Sequence, residues 1–264
     1  MSRLKLPTVT LCAVTSVNVR ATVDALEASL EQIDFAECLL LTDAEVAGAD
    51  PRIRIVPIEH LASGTAYSHF LLSKLADHVS SDHCLVIQWD GFVLDARRWD
   101  PRFLSYDYIG APWPQFDDGN NVGNGGFSLR SRKLLEAFRD PRFQPGHPED
   151  VAICRTNKAL LEEEHGIRFA DPRTAASFSY ERTEPAEPTL GFHGIFNMIP
   201  ALGPERFWRT YSELDERSTA FADYGLLMRQ LGRGRNTLRR RLRLTCDLLK
   251  SKVPGRRSAP RHTP

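Results

Sequence analysis

The chain has 264 residues of ordinary globular composition, enough for one large domain or two small ones with a sizeable core. It has no run of 18 or more apolar residues, which excludes a membrane-spanning helix of the usual kind. Its 34 basic and 34 acidic residues cancel unevenly: residues 229–264 hold twelve Lys or Arg and one acid, so the preceding body is acidic and the C-terminal arm strongly basic.

At the N-terminus, Arg3 and Lys5 precede the apolar Leu11-Cys12-Ala13-Val14, as in a signal peptide. Pro7 and the threonines at 8, 10 and 15 interrupt the apolar region, and the segment reads better as a first strand. The five cysteines, at 12, 38, 84, 154 and 246, are odd in number and scattered. That pattern fits buried, reduced thiols in a cytoplasmic protein and offers neither a zinc cluster nor a disulfide framework.

In chain order, strand residues run from Thr8 to Val14 and a helix from Val19 to Ile33, with Val19, Val23, Leu26 and Leu30 on one face. Further strands are expected at Cys38–Leu41 and Ile53–Val56, then a helix over Thr65–Val79 and a buried strand ending at Ile87. This order predicts an α/β fold, a mixed and mainly parallel sheet flanked by helices. Beyond Asp90 the texture becomes aromatic and proline-rich. A helix is expected from Ser131 to Phe138 and another from His147 to His165, with Pro148, Glu149 and Asp150 in its first turn. Ile167–Ala170 and Ala176–Tyr180 read as strands. Residues 1–215 are taken as one domain and 216–264 as a basic arm, partly helical or disordered.

Four features bear on chemistry. The strand Leu85-Val86-Ile87 runs through Gln88 and Trp89 into Asp90-Gly91, and in open α/β sheets ligands sit outside the carboxyl ends of the strands. Asn124-Gly125-Gly126 precedes a strand, Glu149-Asp150 opens a helix and His193 stands between Phe192 and Gly194. Each has an ordinary reading by itself: a strand end, a turn, a favourable charge–dipole contact, a structural histidine.

Taken in order, these segments resemble GT-A glycosyltransferases. Gln88-Trp89-Asp90, Asp107 to Trp113 and Val122 to Ser131 are similar to a family of GT-A-type transferases known as a domain of unknown function. The resemblance spans about residues 8–200. It implies a GT-A-like, Rossmann-like fold and a nucleotide-sugar donor. On it, Asp90 is a ligand for a divalent metal, Mn or Mg, with His193 as a second. Asp150, or else Glu149, is the base that takes the acceptor proton. Thr15 and Asp43 face the nucleotide. Asn124, Gly125 and Gly126 let the backbone approach a sugar, and Trp113 offers it an apolar face. GT-A enzymes usually present two acids at the metal. Here Gln88 takes the first position, so the metal is weakly held or replaced by a cation such as Lys74.

The resemblance thus implies a glycosyltransferase, inverting because a carboxylate is available as base. Its acceptor would be a glycan or lipid-linked glycan in bacterial surface polysaccharide synthesis. A non-catalytic carbohydrate-binding or scaffold protein stays open because of Gln88. A nucleotidyltransferase ranks lower, since Ala13 to Asn18 lacks a glycine- and lysine-rich phosphate loop. In the arm, Leu231, Leu238, Leu242 and Leu249 recur among arginines, as in a helix lying on an anionic membrane surface. That places the protein in the cytoplasm, peripheral to the inner membrane face. No nucleic acid partner is expected, because no aromatic residue interleaves the arm.

Overall fold

A computed structural model describes residues 2–232 and 236–252. The chain forms two compact units, Met1–Gly194 and Ile195–Pro264. The division lies after Gly194 rather than near residue 215. The reason is local: the helices between 195 and 214 pack with the later helices of the second unit.

The first unit is a mixed α/β layer structure. Its strands are β1 (Leu4–Val14), β2 (Ile33–Thr42), β3 (Ile53–Pro57), β4 (His83–Ile87), β5 (Tyr108–Ile109) and β6 (Phe127–Ser131), in the sheet order β3-β2-β1-β4-β6-β5. β1 is parallel to β2 and β4, and β2 to β3, while β6 is antiparallel to β4 and β5. Residues Val9 to Val14 are all buried, so helices cover both faces of this strand. The crossovers are α1 (Val19–Leu30) and α2 (Gly64–Ser73), the latter capped by Ser63 through Ala66 N. α2 stops at Ser73, and a 3₁₀ turn, Leu75–Asp77, continues toward β4.

Helices α3 (Arg132–Ala137), α4 (Glu149–Val151), α5 (Lys158–Glu163) and α6 (Pro172–Phe178) follow. The expected long helix from His147 is broken by a π-turn, Ala152–Thr156. Ile167–Ala170 forms only a bridge from Phe169 to Tyr108. Ala176 to Phe178 is helical, not strand: Asp171 accepts from Arg173 N and Thr174 N and Pro172 occupies the first turn, so a helix starts there. Only Ser179–Tyr180 (β7) is extended, pairing in parallel with Gly191–Phe192 (β8).

The register sets up the site. Val14 pairs with Leu41 and Cys12 with Val86, so β1, β2 and β4 end on one sheet edge. Ile87 pairs with Phe127 in antiparallel fashion, which brings residues 88–90 opposite residues 124–126. β7 and β8 are parallel, so Glu181 and His193 follow their ends side by side.

The second unit is helical: α7 (Met198–Leu202), α8 (Pro204–Glu213), α9 (Ser218–Ala222), α10 (Tyr224–Gln230) and α11 (Thr237–Ser251). α11 is not a detached arm. Leu231 and Leu244 are buried, Arg240 pairs with Glu205, and Asp247 accepts from Tyr211 Oη at 3.1 Å. No helix among the described residues is long and apolar enough to cross a membrane. Cysteines 12, 38, 84 and 154 are buried and free, whereas Cys246 is exposed.

Candidate active site

The chain after β4 turns back at once: Gln88 and Gly91 exchange backbone hydrogen bonds of 3.1 and 3.0 Å. The turn leaves Asp90 at the sheet edge, buried, with its carbonyl accepting from Gly194 N at 2.9 Å. That last bond ties the turn to the segment carrying His193.

The imidazole of His193 is the centre of the cluster. Its Nε2 lies 3.1 Å from Gln88 Oε1 and 3.7 Å from Asp90 Oδ1. Its Nδ1 lies 3.4 Å from Glu181 Oε1 and 3.0 Å from Asn124 Nδ2. The ring is clamped between backbones: a Cβ on Gly91 would meet its Cδ2 at 2.9 Å, and one on Gly126 would collide with Nε2. Burial disfavours the charged ring, but the Glu181 hydrogen bond and the charges of Asp90, Glu181 and Asp150 outweigh it and raise the His193 pKa to about 8. A protonated Nδ1 donates to the Glu181 carboxylate, which also accepts from the Asn124 amide.

Gln88 therefore has a defined task. Its amide donates to Tyr67 Oη at 2.9 Å, and its oxygen faces the imidazole. A second acid at that position would lack this donor to Tyr67.

Asn124 sits at φ 64°, a left-handed position that asparagine tolerates. The next residue, Gly125, donates its N–H to Asp150 Oδ2 at 3.0 Å, while Val151 N donates to Asp150 Oδ1 at 2.8 Å. Asp150 stays partly exposed. Burial and the Glu149 charge raise its pKa above the ordinary carboxylate value. An acid of this kind, anchored and easily protonated, suits proton transfer.

Several expectations need correction. Glu149 is no base: it is 5% exposed, with Oε1 accepting from the fully buried Arg130 Nη2 at 3.0 Å and Oε2 from Ser68 Oγ at 3.4 Å. Trp113 offers no face to a sugar: it is 5% exposed and its ring fills the space beside Gly123. The open sides of Gly125 and Gly126 are taken by the Glu149 carboxylate and the His193 ring, so their small size serves protein side chains. Thr15 Oγ1 closes its own turn by donating to Val17 O. Asp43 accepts from His60 Nδ1 at 2.7 Å. Lys74 lines a groove of about 830 Å³ with His60, His69, Phe70 and His78, and the cation placed beside Asp90 is His193.

Two ligands of one divalent ion, each about 2.1 Å away, lie roughly 3–4.2 Å apart. The 3.7 Å between Asp90 Oδ1 and His193 Nε2 falls in that range. Among the described residues no three His, Cys, Asp or Glu side chains are arranged to hold a metal. Glu181 was not legible as a site residue, because only the short β7–β8 pairing brings it to His193.

Residues 50–193 match the model of a family described as "Protein of unknown function (DUF5672)". The matched stretch contains Asp90, Asn124, Asp150, Glu181 and His193. No curated protein matches the chain. Among solved structures, one similar to it is a glycosyltransferase involved in the glycosylation of the major capsid of PBCV-1, at 15% identity and a TM-score of 0.42, covering 78% of this chain and 100% of that one. Another is glucosyl-3-phosphoglycerate synthase from Mycobacterium tuberculosis in complex with Mn2+, UDP and glucosyl-3-phosphoglycerate, at 12% identity and a TM-score of 0.39, covering 62% of this chain and 68% of that one.

Proposed function

The chain belongs to the DUF5672 family of proteins of unknown function, and from the geometry of its site we propose that it is a glycosyltransferase. It takes a sugar from a nucleotide-sugar donor and passes it to a glycan or lipid-linked acceptor in bacterial surface polysaccharide synthesis. The protein works in the cytoplasm, at the inner face of the membrane. The observation that carries the reading is the convergence at one sheet edge. Asp90 and His193 stand 3.7 Å apart there, and the anchored Asp150 lies across the β4–β6 register, on Gly125 N.

The nucleotide sits outside the carboxyl ends of β1 and β2. Asp90 and, with its Nε2 free of a proton, His193 would hold a divalent ion, which would supply positive charge for the departing diphosphate. Gln88 and Glu181 orient the imidazole from either nitrogen. Asp150 accepts the proton of the acceptor hydroxyl at its carboxylate, so the acceptor attacks opposite the leaving group and configuration inverts. Arg130 and Glu149 act behind it, fixing the backbone from which Asp150 projects: Arg130 Nη2 also reaches Gly125 O at 3.4 Å.

A non-catalytic carbohydrate-binding role is favoured by one feature, the neutral Gln88. The two readings separate in a panel of UDP-, GDP- and dTDP-sugars, each tested for binding and for release of nucleoside diphosphate with and without Mn2+. The transferase reading expects release with at least one donor. Binding of a free glycan with no release from any donor would favour the alternative.

A further inference from the structure

Among the described residues, only four large apolar side chains are exposed, and three of them lie on α11: Leu238 at 73%, Leu242 at 57% and Leu249 at 59%. Their spacing of four and seven puts them on one helical face. Arg239, Arg243 and Lys250, four and seven apart in the same way, form an exposed stripe beside them. Arg240 and Leu244, on the other side of the helix, are buried. α11 therefore packs through one face and presents a paired apolar and basic face outward.

At the start of the basic stripe, on its side toward the buried Arg240, is a cavity of about 240 Å³ lined by Trp208, Asn236, Arg239, Arg240 and Arg243. Glu205 holds the two terminal nitrogens of Arg240, but its buried Nε makes no hydrogen bond. The Arg240 guanidinium lies 5.6 Å from the centre of the Trp208 ring. Arginines around a small cavity, beside a ridge of exposed leucine and next to a tryptophan, combine what a phosphodiester headgroup and its acyl chains require.

We propose that this face of α11 docks on an anionic phospholipid bilayer, with lipid phosphate at the Arg239–Arg243 cavity and Leu238, Leu242 and Leu249 entering the acyl boundary. A nucleic acid would satisfy the arginines but leave three leucines in water, so it does not fit the whole surface. The docking holds whether or not the first unit transfers a sugar.

The test is co-sedimentation of the full chain with vesicles of phosphatidylcholine alone and of phosphatidylcholine mixed with phosphatidylglycerol, at low and high salt. The full chain sediments with the anionic vesicles only, and salt releases it. Leu242→Ser lowers the partition about tenfold, the scale of one leucine's burial. Arg243→Gln lowers it about fivefold, the scale of one charge at an anionic surface. Both side chains are exposed, so far-UV melts stay unchanged; if either variant unfolds, Leu238→Ser and Arg239→Gln provide the same test. No sedimentation with anionic vesicles overturns the proposal. So does binding that Leu242→Ser leaves unchanged while Arg243→Gln weakens it and an oligothymidylate displaces it, which would mark a soluble polyanion site.

Discussion

Glu149 and Asp150 are adjacent in the chain and face different surroundings. Glu149 is turned to Arg130 at 3.0 Å in a pair that solvent barely reaches. Asp150 stays at the site, held by the backbone N–H groups of Gly125 and Val151. One residue of offset thus separates a carboxylate buried in an ion pair from one held at the candidate site.

Removing the inner carboxylate strands a buried guanidinium. Glu149→Ala should cost about 3–5 kcal/mol of stability, the scale for breaking a buried ion pair from one side. Chemical denaturation of the purified variant checks this. A stable Glu149→Ala protein that had lost only donor turnover would return Glu149 to the chemistry.

The outer carboxylate gives the opposite pattern. Asp150→Asn should retain donor binding and cut transfer by roughly 10²-fold or more, the scale of losing a general base. Since burial and Glu149 raise the Asp150 pKa above 3.8, the acid limb of the wild-type rate profile should lie above that value too. Linkage has the same origin. A carboxyl raised on folding contributes stability fully below pH 3.8, and loses it as the pH rises through the folded pKa. Urea midpoints measured across that range should fall less in Asp150→Asn than in wild type.

The two faces of α11 predict different costs. Leu244→Ala should destabilise by about 2–5 kcal/mol, as for a buried leucine. Leu242→Ala should stay within about 0.5 kcal/mol, as for an exposed site. Ending the chain at Gln230 removes Leu231 and Leu244 from the packing of the second unit and deprives Glu205 of Arg240. The truncated protein should lose solubility and cooperative melting, read by calorimetry, whereas a freely solvated arm would be dispensable.

Glu181→Gln tests the orienting pair. It removes one carboxylate from Nδ1 of His193 while keeping a hydrogen-bond acceptor. The His193 pKa, followed by NMR of the ring protons, should fall from about 8. An unchanged value would mean that Asp90 and Asp150 set it without Glu181.

The parallel core was legible because buried strands such as Leu39–Leu41 leave a continuous apolar run and α1 repeats at three and four. Asp90 was legible because an acid ends such a run. What the sequence could not show depends on packing across distant segments. Gly125 and Gly126 read as room for a ligand, yet Glu149 and His193 occupy that room. Trp113 read as a platform because an aromatic among prolines leaves no sign of burial. Ala176–Phe178 read as strand from composition, although Asp171 and Pro172 had already started a helix. Leu231 and Leu244 lie among arginines, and only the helices they meet show them to be core.

If Asp90 and His193 serve a departing nucleoside diphosphate, its release depends on the charge of Asp90. Asp90→Asn preserves shape and removes the charge. The decisive measurement is nucleoside diphosphate release by the full chain from the donor that the panel selects, in wild type and Asp90→Asn, with thermal melts of both. Release should collapse in Asp90→Asn while its melt stays close to wild type. Equal release by both proteins, or no release from any donor by the wild type, would contradict the account.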